Sequence, residues 1–211
     1  MARTKHALVT RMTYRDREAM MRRVPFTKEY LIPSLRAQTD QRFEWIIVVM
    51  PGDEDLLHDA LGYPFTAIPH PIRSPHGPTP IHKYLVDGNY KIQTRVDSDD
   101  WLSPNCIHML KEQYLKYGTK WDRFMIHLQP TKFNHFTKRL YSMSTYHAPS
   151  VSSFITLCQH KPEYHVLSQP HHRMHGITSH IVMVGPGYAR YIIHDSNDSL
   201  KRKVRHKLIS A

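Results

Sequence analysis

Tyr90-Lys91-Ile92-Gln93-Thr94-Arg95-Val96-Asp97-Ser98-Asp99-Asp100-Trp101-Leu102 is the stretch on which the fold turns. Tyr90 to Val96 reads as a strand that runs straight into three aspartates. Alternation along an extended segment points Asp97 and Asp99 to one side and leaves Asp100 at the turn. In open α/β sheets, ligands bind just beyond the carboxyl ends of strands. Clustered carboxylates repel one another unless a cation or hydrogen bonds compensate. A hard divalent ion, Mg²⁺ or Mn²⁺, resolves this with one or two carboxylates, water and substrate phosphate oxygens. The plainer alternative is an acidic turn with capping duty. Ser103 already offers a cap to the following helix, and a turn does not need three carboxylates.

Working outward, strand and helix signals alternate, which predicts an α/β fold with a mostly parallel central sheet flanked by helices. His6 to Thr10 reads as a first strand, followed by a polar, basic turn from Arg11 to Asp16. Glu29 to Arg36 carries Tyr30, Leu31, Ile32 and Leu35 at helical spacing, with Pro33 in its first turn. Phe43 to Met50 is a continuous apolar run closed by Pro51-Gly52, as expected of a strand buried on both faces. Asp53 to Leu61 predicts a short acidic helix and Phe65 to Ile68 a third strand. Residues 69–80 hold Pro69, Pro71, Pro75, Pro78 and Pro80 and predict a long surface loop. Ser103 as N-cap and Pro104 at the first helical position open a helix that stops at Gly118. Phe124 to Leu128 and Ile181 to Val184 read as further strands. The stretch between about 130 and 180 has no clear period.

The chain has 211 residues, enough for one sizeable core. The expected organisation is one domain over residues 1–200 and a basic tail over 201–211. No apolar run approaches the roughly 20 residues of a membrane span, and no signal-type stretch follows the N-terminus, so a cytoplasmic protein is expected. Cys106 and Cys158 make no disulfide framework and read as small core residues. The formal charge is +11 with an isoelectric point near 9.7. Such a surface favours anionic partners. Arg3, Lys5, Arg11, Arg15, Arg17, Arg22, Arg23 and Lys28 crowd one end, and Lys201, Arg202, Lys203, Arg205 and Lys207 the other. This is either a solvated basic surface or the footprint of a polyanion, with DNA the leading candidate.

The run Arg95 to Leu102 resembles the strand-DxD segment of GT-A fold glycosyltransferases of the family-2-like group, most nearly its rhamnosyltransferase-like members. Four further elements agree in order. Tyr30-Leu31-Ile32-Pro33-Ser34-Leu35-Arg36-Ala37-Gln38-Thr39 is similar to that group's LPSL-x-x-Q helix, and Phe43-Glu44-Trp45 with Ile46 to Val49 to its second strand. Ser152-Ser153-Phe154 resembles its acceptor-side segment, and Ile192-Ile193-His194-Asp195-Ser196-Asn197 its late xxHGxN element. The resemblance spans residues 6 to about 198. It implies a nucleotide-sugar donor, a divalent metal and transfer of a sugar to an acceptor hydroxyl.

Carried over by position, the resemblance makes Asp99 the principal metal ligand and Asp97 a metal or ribose contact. Asp100 supports either. Thr10 and Arg11 would meet the nucleotide base, Arg95 the diphosphate, and His194 would complete the metal shell. His171, His172 and His175 form a rival group, with His172 as its candidate ligand; zinc there lacks matching cysteine ligands. An inverting enzyme needs a carboxylate base near the acceptor hydroxyl, and the acidic pair usual in the second half is missing. Glu163, Asp122, Asp195 and Asp198 are what remains, with Asp195 and Glu163 the candidates; Asp195 also replaces the usual glycine of the late element.

Two acceptors suit a basic enzyme of this size. One is a hydroxymethylated base in DNA, with Tyr14, Tyr84 and Trp101 as base contacts after flipping; the other is a polysaccharide or lipopolysaccharide. Two readings of other kinds stand beside these: a nucleic-acid-binding module with structural aspartates, and a metal-dependent nucleotidyltransferase.

Overall fold

A computed structural model describes residues 4–14, 16–70, 79–141, 154–168 and 176–194. In chain order the first strands are β1 (Lys5–Met12), β2 (Glu44–Val49), β3 (Thr66–Pro69), β4 (Tyr90–Arg95) and β5 (Trp101–Leu102). They are followed by β6 (Arg123–Leu128), β7 (Thr131–Asn134), β8 (Leu140–Tyr141), β9 (Ile155–Gln159), β10 (Ile181–Val184) and β11 (Ala189–Ile193). The α-helices are α1 (Arg17–Met21), α2 (Val24–Phe26), α3 (Ile32–Arg36), α4 (Glu54–Leu61), α5 (Pro80–His82) and α6 (Cys106–Gly118). Two π-helical segments, Thr27–Leu31 and Lys83–Asp87, continue α2 and α5.

Seven strands form one sheet in the order β10-β6-β9-β4-β1-β2-β3. All neighbours pair in parallel except β9, which runs antiparallel between β4 and β6. This is the mixed α/β architecture, with a mostly parallel sheet, that the alternation of signals predicts. The apolar run of β2 is buried on both faces as expected. Trp45, Ile47 and Val49 pack with Leu8, Ile92, Ile107 and Leu110, while Ile46 and Val48 pack on the other face with Ala7, Val9, Ile81 and Leu85. Each such side chain contributes roughly 1.5–3 kcal/mol on burial. Both cysteines are buried and free, and burial pushes the Cys106 thiol up to about 12.

Four local expectations are corrected. β1 runs on to Met12, because Arg11 and Met12 still find parallel partners in Val48 and Val49. The predicted helix at Glu29 belongs to a longer helical run from Arg17 to Arg36, and its Tyr30 sits in a widened π turn where the Ile32 N–H reaches Thr27 O. Ser103 does not cap α6. Its Oγ is buried without a hydrogen bond among the described residues. Gln38 serves instead: its Oε1 accepts from Ile107 N at 3.0 Å, and its Nε2 donates to Ser34 O at 2.9 Å and Ser103 O at 2.7 Å. Finally, the stretch without clear period contains β9, a fully buried strand. Its polar members are paired, Thr156 Oγ1 with Thr94 Oγ1 at 2.8 Å and Gln159 with the backbone of Tyr164.

A second sheet, in the order β5-β11-β7-β8, stands beyond the end of β4. β5 follows directly on the aspartates and pairs antiparallel with β11; β11 pairs in parallel with β7. No helix among the described residues is long and apolar enough to cross a membrane. The basic tail at 201–211 lies outside the described residues.

Candidate active site

β4 ends at Arg95, and the aspartates do not continue it as an extended segment. Asp100 N donates to Asp97 O at 3.2 Å, closing a turn. The turn changes the facing of the carboxylates. Asp97 keeps a third of its side chain in solvent and faces Arg95 at 3.4 Å. Ser98, Asp99 and Asp100 are buried.

Asp99 is the centre of the site. Its Oδ2 accepts from the Arg23 guanidinium, at the start of α2, and lies 2.6 Å from Nε2 of His194, which follows β11. Both partners are buried. Phe26 stacks on the His194 ring with centroids 3.7 Å apart. Tyr14 closes another side, its ring 5.9 Å from the Arg23 guanidinium carbon. Burial raises the Tyr14 phenol above its ordinary value. Asp100 Oδ1 accepts from Ile192 N at 3.2 Å, which ties the turn to β11. Its Oδ2 is buried without a hydrogen bond among the described residues. Burial, together with the charges of Asp99 and Asp97, pushes the Asp100 carboxyl well above the usual range. Burial also raises Asp97, with Arg95 opposing.

Compensation that the sequence reading assigned to a metal is thus partly supplied by protein. Arg23 meets Asp99, Arg95 meets Asp97 and a backbone amide meets Asp100. The donor set still fits a hard divalent ion. Asp99 and His194 hold an oxygen and a nitrogen together from two elements; the proton that Nε2 now gives Oδ2 would have to leave before both served an ion, and Asp100 Oδ2 is a further oxygen of the same turn. No group of three or more His, Cys, Asp or Glu among the described residues is arranged to hold an ion. A Mg²⁺-type site needs only one or two such ligands when substrate phosphates and water complete the shell.

Other expected residues lie elsewhere. Thr10 is fully buried and its hydroxyl accepts from Trp45 Nε1 at 2.9 Å, which withdraws it from any ligand. Arg11 is exposed, with Nε on Thr13 Oγ1 at 2.6 Å. Glu163 is held by Arg123, which opens β6. That is the edge of the sheet opposite Asp99, so the structure separates Glu163 from the aspartates. Tyr84 donates to Glu44 at the start of β2, also away from the site. Trp101 carries the Arg190 guanidinium 4.1 Å from its ring centroid. Asp195, His171, His172, His175 and Ser152-Ser153 lie outside the described residues, while Phe154 is buried at the head of β9. Of the N-terminal basic residues, Arg17 pairs with Asp53, Arg22 with Glu18 and Arg23 with Asp99. Sequence reasoning passed over Arg23 as one of a basic run and Phe26 altogether; nothing in their local sequence marks them.

No family model matches the chain, and no curated protein matches it. Solved structures do. S. aureus TarS 1-349 in complex with UDP-GlcNAc is 12% identical with a TM-score of 0.53, over 91% of this chain and 59% of that one. A second S. aureus TarS structure is 13% identical with a TM-score of 0.50, over 90% of this chain and 37% of that one. The chain therefore spans less than two thirds of the length of these TarS structures. At such identity the likeness is one of fold: this α/β chain shares its architecture with a protein that holds a nucleotide sugar.

Proposed function

We propose that the chain is a glycosyltransferase that takes its sugar from a nucleotide-sugar donor bound at the carboxyl edge of the sheet. The observation that carries this reading is the meeting of Asp99 and His194 at 2.6 Å beyond the end of β4. An α/β sheet offers its ligand site at that edge, and a sugar nucleotide needs both charge compensation and a hard-ligand site there. The fold shared with TarS, captured with UDP-GlcNAc, supports the donor class. The family-2-like, rhamnosyltransferase-like assignment rests on the five ordered sequence elements.

In this reading Asp99 and His194 would hold a divalent ion, and Asp97 would contact the ribose or the ion. A bound ion supplies charge to the leaving diphosphate. Arg95 and Arg23 are the nearby guanidinium groups, suited to bidentate contact with phosphate oxygens. Arg11, exposed near the carboxyl end of β1, is the contact to the nucleobase in this reading, and Asp195 and His172 remain candidates as a catalytic base and a ligand. The acceptor hydroxyl attacks the anomeric carbon as the bond to the diphosphate breaks.

A thermal-shift screen of UDP-, GDP- and dTDP-sugars with and without Mn²⁺ tests the reading. Ligand at 100 times its dissociation constant stabilises by about 2.7 kcal/mol, so a Mn²⁺-dependent rise in melting temperature is expected. No shift with any donor sinks it. Release of pyrophosphate instead of nucleoside diphosphate would transfer the site to the nucleotidyltransferase reading.

For the acceptor we favour an anionic polymer, on the strength of the +11 charge. A hydroxymethylated base in DNA is one form and an anionic polysaccharide or lipopolysaccharide the other. DNA retention that falls steeply with salt supports the first; absence of retention at low salt discards it.

A further inference from the structure

Glu163, the candidate carboxylate base among the described residues, is held by Arg123 away from Asp99, and a polar relay stands beside His194. β11 pairs in parallel with β7, Ile193 opposite Asn134, and His135 N continues the ladder onto Ile193 O at 2.9 Å. The next residues, His194 and His135, therefore sit side by side. On the other flank β5 pairs with β11 and begins directly after Asp100. The turn of aspartates, His194 and His135 thus lie on three adjoining strands. Two strand spacings put His135 roughly 10 Å from the aspartates, with β11 and its His194 between them.

The His135 ring is oriented from behind. Its Nδ1 lies 2.6 Å from the Tyr30 hydroxyl and 3.7 Å from Glu29 Oε1. Phe26 packs edge-on to His135 at 5.3 Å and face-on to His194 at 3.7 Å, one ring fixing both imidazoles. Burial, with the Glu29 charge beside it, raises the Tyr30 phenol, so it stays protonated. Tyr30 and His135 Nδ1 share one proton across this contact, and with that proton on Nδ1 the imidazole lone pair lies on Nε2. Nε2 makes no hydrogen bond among the described residues, and about a quarter of the side chain is exposed. Tyr30 and Glu29 belong to the π-helical segment; such turns occur often at functional sites.

We propose that His135 is the general base of the transfer, taking the acceptor's proton on Nε2, with Tyr30 and Glu29 as its positioning residues. The inference rests on the glycosyltransferase reading above. The acceptor O–H proton passes to Nε2 as the oxygen lone pair bonds to the anomeric carbon. The anomeric carbon–oxygen bond breaks, and its electron pair leaves with the nucleoside diphosphate. The imidazolium then returns its proton to water. The described titratable and charged groups facing His135 are Glu29, Tyr30, Lys138 through Glu29, and His194 behind Phe26.

The test uses the full chain and the nucleotide sugar that gives the largest thermal shift, with water as acceptor and nucleoside diphosphate release as readout. His135→Ala and His135→Asn are expected to keep the donor shift and to lose about 100-fold or more in release rate. The acid limb of the wild-type rate profile should vanish in both, and added imidazole should restore part of the rate to His135→Ala. Glu29→Gln and Tyr30→Phe should lower the rate less and displace the acid limb. A folded His135 variant that binds donor and releases product within threefold of wild type overturns the proposal. Failure of every nucleotide sugar to shift wild type overturns the transferase reading itself, and with it this one.

Discussion

Nε2 of His194 lies 2.6 Å from Oδ2 of Asp99, joining residues 95 positions apart. The contact is a product of strand register. β5 leaves the aspartate turn and pairs antiparallel with β11, Trp101 opposite Arg190 and Leu102 opposite Ala189. Continuing that register brings His194 level with the turn. The Ile192 amide locks it there through Asp100 Oδ1.

Asp99→Asn is expected to abolish the Mn²⁺-dependent thermal shift with nucleotide sugars. Asn keeps the shape and one acceptor oxygen but removes the charge. An Asp99→Asn protein that shifts like wild type removes Asp99 from the donor site.

Because Arg23 and Asp99 form a buried pair, removing either leaves a buried charge that has lost this partner. Such losses cost about 3–5 kcal/mol. Asp99→Ala and Arg23→Met should each show this cost in urea unfolding, softened in Arg23→Met because His194 still meets Asp99. The double variant should cost less than the two single losses together. Strict additivity would argue that the pair is not formed in solution.

Gln38, just beyond α3, satisfies the Ile107 amide of α6 and the carbonyls of Ser34 and Ser103. Gln38→Leu strands these groups, at about 1–3 kcal/mol for each buried group left without a partner. We expect a drop in urea midpoint with unchanged slope, which a Ser103→Ala variant should not show.

Two buried histidines set a pH dependence. Burial, then the Lys111 charge, lowers His6 to about 3. Burial, then the His82 and His70 charges, lowers His165 to about 4. In the fold both stay neutral where the unfolded chain, near pH 6.5, already takes up protons. Their contribution is therefore complete above about pH 6.5. It is lost as pH falls, towards about 4 for His165 and about 3 for His6. Each contributes a slope of up to about 1.4 kcal/mol per pH unit inside its window. Melting curves from pH 7.5 to 4 should show the decline, and His6→Gln should flatten it.

What the sequence determined by itself was set by local pattern. The apolar run of β2, the strand before the aspartates, and Gly62 closing α4 in the left-handed conformation all follow from neighbouring residues. So does Asp99 as a candidate, since residue type and strand end were both legible; His194 entered through the resemblance of the late element. Tertiary structure decided what stands against them. Arg23, Phe26, Tyr14, Tyr30 and His135 look in sequence like ordinary members of basic, apolar or mixed stretches. They reach the site only through helix and strand packing between distant segments. The same holds for Thr10 and Glu163, whose types suited a ligand site until Trp45 took the hydroxyl and Arg123 the carboxylate at the opposite edge. The strand β9 was hidden because antiparallel insertion between two parallel strands buries both its faces, and that burial leaves no period to read. Periodicity and turn chemistry act over a few residues; charge compensation acts over a few ångströms, and only the fold converts one distance into the other.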